Sequence, residues 1–360
     1  MNIIISKASL SKAITSASKA VSTNTAIPIL SGILLRAEEG VLELQSTNID
    51  QSIRIKVAAN VEEPGDAVVS GKVLANIVKS LPDEAVTIES SGTTATIKCG
   101  RAKFRLNTLD PKDFPEFPKA EPEASATIRC ALLSDMVDRV YKMTSKDKSR
   151  PILSGIKLDI EGGMVRLVAT DSYRLAVCDA GIDFEGEFSA LVPGNVFHDV
   201  MGMASMVDEV TISTTSRQVI FEFGNVTYVT RFIEGNFPNY KQLLPKSCNT
   251  SVRLDRSIFT AALKRVSIMA SSTQSVRFDV SGDTMDMYAS TPDEGESSEQ
   301  VEVETDGQPV TIALNGKFVA ETMAACGDEV VLELTTSVQP AVFKSYGTVN
   351  YLCLCMPVRI

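Results

Sequence analysis

Apolar side chains recur along the chain with two periods, and the two periods alternate in a regular order. Residues 9–21 and 71–81 carry apolar side chains three or four positions apart, which predicts two amphipathic helices, the first with Ser9 as its N-cap. Residues 41–46 and 52–57 alternate apolar with polar side chains, as half-buried strands do. The helical positions are Leu10, Ile14, Ala17 and Val21, and then Leu74, Ile77, Val78 and Leu81.

This order of elements repeats because the chain contains an internal duplication. PILSG occurs at residues 28–32 and again at 151–155, a shift of 123 residues. At the same shift VLELQSTNID (41–50) aligns with MVRLVATDSY (164–173), VSGKVL (69–74) with VPGNVF (192–197), and FPEF (114–117) with FPNY (237–240). A more diverged third copy places LNGKFV (314–319) 122 residues after VPGNVF. Several matches at one offset indicate true repeats.

We therefore expect three units, at residues 1–122, 123–246 and 247–360. Each unit is predicted to have an α+β fold in which two helices pack on antiparallel sheet. The segments 110–126 and 237–250 are rich in proline and lack periodicity, so they are interpreted as linkers.

The composition is that of an ordinary globular chain, with 44% apolar and 22% charged residues. No apolar run approaches 18 residues, so no membrane span is expected, and the N-terminal residues are interpreted as a strand rather than a signal peptide. Seven cysteines without a C-x-x-C motif favour a reducing cytoplasm. Cys353 and Cys355 are interpreted as two buried thiols on one face of a strand.

Motifs that would indicate catalysis are missing from the sequence. The one histidine, His198, falls on a predicted helix and is interpreted as a solvated side chain rather than a catalytic base. GDAVVSGKV (65–73) has the wrong spacing for a phosphate-binding loop and lacks the hydroxyl that binds the metal. No cluster has metal-ligand spacing, so we expect neither cofactor nor metal. An enzyme with a pocket between units two and three remains a rival hypothesis.

Charge is distributed unevenly, although the net charge is −10. Basic residues concentrate on the predicted helices of all three units, whereas acidic residues favour turns and strands. A protein with this charge distribution could surround a polyanion without holding it tightly. In addition, the basic alternating strand GRAKFRL (100–106) is complementary to the acidic run 293–304. Head-to-tail contact between these two segments in two chains would close a ring of six units.

With its threefold repeat, the chain resembles the beta subunit of bacterial DNA polymerase III, the sliding clamp, over essentially its full length. The motifs that carry the resemblance are VATDSYRLAV (168–177), FIEGNFPNYKQLLPK (232–246) and MPVRI (356–360). The resemblance implies a ring-shaped head-to-tail homodimer, with helices lining the hole and sheets outside. It implies a non-catalytic processivity factor that encircles double-stranded DNA without sequence preference, in the cytoplasm and associated with the nucleoid during replication.

The resemblance also implies a pocket between units two and three that binds short hydrophobic peptides. These peptides belong to the clamp loader complex, the alpha subunit of the replicative polymerase, and other polymerases and repair proteins. The residues carried over to this pocket are Leu153, Thr170, Tyr173, Arg174, Leu175, Pro238, Leu243, Asn315, Phe318, Val338, Leu354, Met356, Pro357, Val358 and Arg359.

Two further sets of residues complete the prediction. The DNA-facing residues are Lys12, Lys72, Lys79, Lys142 and Lys148. The residues expected at the dimer interface are Arg101, Lys103, Phe104 and Leu106 of one chain, against Ile268, Met269, Glu294, Glu296 and Glu299 of the other. The alternative is a three-repeat scaffold that binds peptides and does not encircle DNA.

Overall fold

The structure is a computed structural model, and it describes residues 1–23, 25–119, 121–184, 186–245, 247–270 and 274–358. The α-helices in these ranges are α1 (Lys7–Ala17), α2 (Gly71–Ser80), α3 (Cys130–Tyr141), α4 (Gly194–Met203), α5 (Arg256–Val266) and α6 (Gly316–Ala325). None of these helices combines the length and the apolar character that a membrane crossing needs.

Strands make up most of the remaining regular structure. The first third contains β1 (Asn2–Ser6), β2 (Gly32–Glu38), β3 (Val41–Thr47), β4 (Gln51–Ala58), β5 (Asn60–Glu63), β6 (Gly65–Ser70), β7 (Ala85–Ser91), β8 (Thr94–Cys99) and β9 (Ala102–Asn107). The central third contains β10 (Ala124–Arg129), β11 (Gly155–Glu161), β12 (Met164–Thr170), β13 (Arg174–Gly181), β14 (Phe188–Pro193), β15 (Glu209–Thr214), β16 (Gln218–Phe223) and β17 (Val226–Arg231). The last third contains β18 (Thr250–Asp255), β19 (Ser275–Ser281), β20 (Thr284–Thr291), β21 (Gly295–Glu302), β22 (Glu304–Gly307), β23 (Val310–Asn315), β24 (Glu329–Leu334), β25 (Ala341–Ser345) and β26 (Asn350–Cys355).

Each third therefore has two helices among antiparallel strands, which confirms the predicted α+β repeat. By its contacts the chain forms two compact units. The first compact unit consists of Met1–Cys130 and Asp199–Phe232, and the second of Ala131–His198 and Ile233–Ile360. The central repeat contributes strands to both, because its two halves join different sheets.

The first compact unit contains an eight-stranded and a five-stranded sheet. The eight-stranded order is β10-β15-β16-β17-β4-β3-β2-β6, so β17 of the central repeat pairs with β4 of the first repeat, and Tyr228 lies opposite Ile53. Both of these side chains are fully buried or nearly so. The five-stranded order is β5-β1-β7-β8-β9, which leaves β9 at an edge.

The second compact unit repeats this arrangement one repeat later. Its nine-stranded sheet has the order β14-β11-β12-β13-β26-β25-β24-β18-β22, and β26 of the third repeat pairs with β13 of the central repeat. Leu175 lies directly opposite Leu354 in this pairing. The four-stranded sheet has the order β21-β20-β19-β23 and leaves β21 at an edge.

The first helix begins and ends earlier than its apolar pattern predicts. Ser6, not Ser9, is the N-cap of α1, and its Oγ accepts a hydrogen bond of 3.2 Å from the Ser9 N–H. The predicted cap was wrong. Both serines fit the N-cap rule, and the helix begins after the earlier one, which places Leu10 inside the helix, where it is buried. Val21 lies beyond the helix, and its Cγ2 would be 3.0 Å from a Cβ placed on Gly71.

The segment 110–126, interpreted as a linker, is anchored to the first compact unit. It begins with a short 3₁₀ turn, Pro111–Asp113, and β10 starts at its end. Between them Phe114 is buried in an apolar cluster with Ile29, Leu30, Leu34 and Val68. Burial of a phenyl ring stabilises a fold by about 2 kcal/mol, so this connection is part of the core rather than a free tether.

The two neighbouring cysteines are buried thiols, as predicted. Cys353 and Cys355 lie on one face of β26 with their sulfur atoms 4.0 Å apart. The Thr322 hydroxyl lies 3.3 Å from the Cys353 sulfur. The hydrogen bond with Cys353, together with burial, raises the pKa of Cys355 above its usual range.

Candidate functional site

Exposed apolar side chains concentrate at one part of the second compact unit. Tyr173, Leu243, Val338 and Met356 are between 43% and 78% exposed, and all four belong to the predicted pocket. Val338 lies in the turn between β24 and β25, three residues before Ala341, which pairs with Cys355 at the end of β26. Several exposed apolar side chains at one place on a protein's surface indicate an interaction site.

Beneath these side chains lies an apolar floor built by β13 and β26. Leu175 and Leu354 form one cross-strand pair, and Val177 and Leu352 form the next pair on the same face. The buried cluster is Val168, Leu175, Val177, Tyr240 and Leu354, with Phe237, Leu244 and Leu352 packed against it. The prediction included Leu175 and Leu354 and missed the others, of which only Val177 and Leu352 are placed on the same faces by alternation along β13 and β26.

A tight turn between β12 and β13 presents Tyr173 at the pocket. The Thr170 hydroxyl donates a 2.7 Å hydrogen bond to the Arg174 carbonyl across this turn. Asp171 Oδ1 accepts hydrogen bonds of 3.0 Å from the N–H groups of Tyr173 and Arg174. Ser172 has a φ of +79°, a conformation that only surrounding contacts maintain in a residue other than glycine.

Arg174 is a buried cation that connects three parts of the site. Its Nε donates to Asp171 at 3.0 Å and its Nη1 donates to Glu321 at 2.5 Å. Its Nη2 donates to the Lys142 carbonyl at 2.8 Å, and its guanidinium lies 4.3 Å from the centre of the Phe318 ring. Burial opposes the charged form, but the hydrogen bonds to Glu321 and Asp171 outweigh it and raise the pKa of Arg174. Arg174 therefore remains charged and fixes the pocket wall.

The last described residues close another side of the pocket. The Met356 N–H donates to the Tyr173 carbonyl at 2.8 Å, and the Val358 N–H donates to the Ala313 carbonyl at 2.9 Å. Pro357 pairs with Leu314. These contacts extend the edge of the site beyond β26. Arg359, also predicted here, lies outside the described residues.

Helix α6 supplies the rim of the pocket. Asn315 caps the helix, and its Oδ1 accepts from the N–H groups of Lys317 at 3.0 Å and Phe318 at 3.1 Å. The cap fixes the first turn, where Phe318 lies 6.4 Å from Tyr173 between ring centres. The remaining predicted residues, Leu153 and Pro238, are half-buried.

The predicted DNA-facing lysines are exposed. Lys12 lies on α1, Lys72 and Lys79 lie on α2, and Lys142 and Lys148 follow α3. None of the five makes an ion pair with another described residue. Other basic residues of the helices are neutralised within the chain: Lys19 by Asp199 at 2.8 Å, Arg139 by Asp135 at 3.0 Å and Arg265 by Glu299 at 2.5 Å.

The single histidine has an environment that agrees with the solvated interpretation. His198 is exposed on α4 and stacks on Tyr141, with ring centres 4.4 Å apart and planes inclined by 18°. Packing of this kind accounts for the side chain without a catalytic role.

The predicted interface residues lie on the edge strands β9 and β21 or in the turns next to them. On β9, Lys103 is exposed and Phe104 and Leu106 are half-buried, with Arg101 in the preceding turn. Near β21, Glu296 accepts a 2.7 Å hydrogen bond from Tyr288. The hydrogen bond from Arg265 lowers the pKa of Glu299. The remaining residues of the set are Ile268, which is 66% exposed, Met269, which is half-buried, and Glu294, which lies in the turn before β21.

Comparison with known proteins identifies relatives over the whole chain. Family models for the N-terminal, central and C-terminal domains of the DNA polymerase III beta subunit match residues 1–118, 127–239 and 241–359. The chain is 32% identical to the beta sliding clamp of Streptomyces coelicolor, with 100% of both proteins covered. It is also similar to the solved beta subunit from Thermotoga maritima, with 29% identity, TM-score 0.93, and 100% and 99% of the two chains covered. A further neighbour is the Pseudomonas aeruginosa sliding clamp bound to griselimycin, with 27% identity, TM-score 0.93, and 100% of both chains covered.

Proposed function

The chain belongs to the DNA polymerase III beta-subunit family, the beta sliding clamps, and from that premise we propose which of its residues perform the clamp's work. It is a non-catalytic processivity factor of the DNA polymerase III holoenzyme. It encircles duplex DNA and tethers the replicative polymerase. The observation that carries the assignment of residues is the exposed apolar pocket over Leu175 and Leu354. Its work on chromosomal DNA places the chain in the cytoplasm, at the nucleoid during replication.

The pocket is the proposed binding site for partner peptides. Its floor is apolar, its rim carries aromatic rings, and Arg174 fixes one wall, which suits a short hydrophobic peptide with few polar groups. The partners are the clamp loader, the polymerase alpha subunit, and other polymerases and repair proteins. Griselimycin is bound in the solved clamp of Pseudomonas aeruginosa. We propose that it binds this chain in the pocket described above.

DNA is held by enclosure rather than by affinity. The five exposed lysines, Lys12, Lys72, Lys79, Lys142 and Lys148, contact phosphates without reading base sequence. Because the whole chain carries a net charge of −10, attraction to DNA depends on local groups of exposed cations such as these. A closed ring with few phosphate contacts can slide along the duplex.

Two strand pairings within the chain join neighbouring repeats, and these two seams indicate where two chains join. Strand β17 pairs with β4 in the first compact unit, and β26 pairs with β13 in the second. By repeat position β9 corresponds to β17 and β26, and β21 corresponds to β4 and β13. Both β9 and β21 are edge strands. We therefore propose that β9 pairs antiparallel with β21 of a second copy, which gives a head-to-tail dimer of six repeats.

The repeats also predict the register of this pairing. Within the chain Val229 lies opposite Ser52, and the equivalent pair between chains is Arg105 with Glu296 of the partner subunit. Phe104 takes the position of Tyr228 and packs toward Ile268 and Met269 of the partner. The apolar contact stabilises the dimer, and the opposite charges set its orientation.

Reversing the two helix lysines tests DNA binding against the scaffold alternative. We expect Lys72→Glu with Lys79→Glu to weaken binding of a fluorescent 30-base-pair duplex about tenfold and to flatten its salt dependence, because phosphate contacts release counterions. Lys112→Glu with Lys119→Glu makes the same charge change in the connector and serves as the control. Equal affinity for the wild type and the helix variant would support the scaffold.

A further inference from the structure

We propose that Arg150 is a positioning residue that couples DNA contact to the partner pocket, a proposal that rests on the proposed clamp function. Arg150 ends the basic segment 142–150, which connects α3 to the following 3₁₀ turn, Pro151–Ser154. Lys142, Lys146 and Lys148 of this segment are exposed. The segment therefore presents several cations to solvent close to the pocket.

Two hydrogen bonds connect the basic segment to the turn that carries Tyr173. Arg150 Nη1 donates to Ser172 Oγ at 3.1 Å, and Arg174 Nη2 donates to the Lys142 carbonyl at 2.8 Å. Arg150 is itself oriented by Asp147, which accepts from its Nε at 2.9 Å. One arginine from each side thus fastens the segment to the pocket wall.

The bond to Ser172 acts at the most constrained point of the turn. Ser172 has φ +79°, and its N–H donates to Thr170 Oγ1 at 3.2 Å. Its neighbour Tyr173 is 60% exposed and contacts the rim of the pocket at Phe318. Because Ser172 holds an unfavourable backbone conformation, a bond that fixes its side chain also restricts the direction of the Tyr173 ring.

The first repeat provides an internal comparison. At the shift of 123 residues, Ile27 replaces Arg150 and Ile49 replaces Ser172. Ile49 keeps the positive φ, at +81°, but its side chain has no hydrogen-bonding group. The same repeat has the polar residues Ser52 and Arg54 where the pocket floor has leucine and valine. The hydrogen bond from Arg150 to Ser172, here called the tether, is therefore present in the repeat that has an apolar floor and absent from the one that lacks it.

The direction of the coupling follows from the donors that Arg150 leaves available. Its Nε and Nη1 are engaged, whereas Nη2 makes no hydrogen bond to any other described residue. A DNA phosphate can bind Nη2 without displacing Ser172 or Asp147, and it then holds the guanidinium in place. Phosphate contact therefore tightens the pocket, and by linkage an occupied pocket strengthens phosphate contact.

The test measures the dissociation constant of fluorescein-labelled griselimycin with and without a saturating 30-base-pair duplex that carries a second fluorophore. For the wild type we expect the duplex to lower this constant about fivefold. Ser172→Ala and Arg150→Lys remove the tether while the charge of the segment is kept, and for both we expect a ratio near one. Lys146→Met removes one charge and leaves the tether, so its ratio should stay above one.

A wild-type ratio of one, with the duplex fluorophore showing bound DNA, would overturn the coupling and leave the clamp function intact. A ratio that survives in both Ser172→Ala and Arg150→Lys would also overturn it, because the link would then run elsewhere. Failure of the duplex to bind at all would overturn the proposed DNA interface, and the coupling with it.

Discussion

Removal of residues 356–360 is expected to weaken partner binding strongly and to leave the dimer intact. The deletion takes away Met356 and Val358, whose N–H groups bond to the carbonyls of Tyr173 and Ala313, and it opens one side of the apolar floor. Loss of a central anchor group in such a pocket weakens binding by about 2 kcal/mol or more, so we expect the dissociation constant for griselimycin to rise about thirtyfold or more. Titration calorimetry measures this change directly.

The controls for this deletion are the mass in solution and the melting temperature. Strand β26 ends at Cys355, so its pairing with β13 and β25 remains in the shortened chain. Both properties should therefore match the wild type. Unchanged griselimycin affinity in a folded, dimeric deletion would show that the pocket lies elsewhere.

Ile268→Arg converts the dimer into monomers. Ile268 is 66% exposed in the single chain, and in the proposed dimer it is covered by Phe104 and Leu106 of the partner. An arginine there is desolvated and faces the basic strand β9, which raises the dissociation constant of the dimer about a hundredfold or more. Light scattering over a dilution series should give twice 38.8 kDa for the wild type and 38.8 kDa for the variant.

Ile27→Arg is the matched control for this substitution. Ile27 is also an exposed isoleucine, at 48%, but it lies outside the proposed interface. It should keep the mass of the wild type. A dimeric Ile268→Arg protein would exclude this interface, and a wild type that is monomeric at all concentrations would exclude the ring.

The repeats and the helices could be predicted from the sequence because they depend on local spacing. Apolar residues at intervals of three and four placed α2 within one residue of its observed end, and shared motifs at one shift revealed the duplication. The cap of α1 could not be assigned, since Ser6 and Ser9 satisfy the same local rule and only burial of Leu10 separates them.

The pocket was predicted in part, and the missed residues share a cause. Alternation on β13 shows that Leu175 and Val177 lie on one face, but no local signal shows that β26 is the neighbouring strand. Tyr240 joins the same cluster from a short 3₁₀ turn in a segment that has no periodic pattern. The ion pair between Lys19 and Asp199 was also missed. The two residues are 180 positions apart in the sequence, and no local pattern connects them.

The seam between β4 and β17 affects the order in which the protein can fold. Gln51 pairs with Thr230, so during synthesis β4 emerges from the ribosome long before its partner strand exists. Until then the growing chain carries an open strand edge that can pair with other chains. A fragment that ends at the boundary of the first repeat keeps this edge permanently. Such a fragment is therefore expected to aggregate, although it contains all the residues of one repeat.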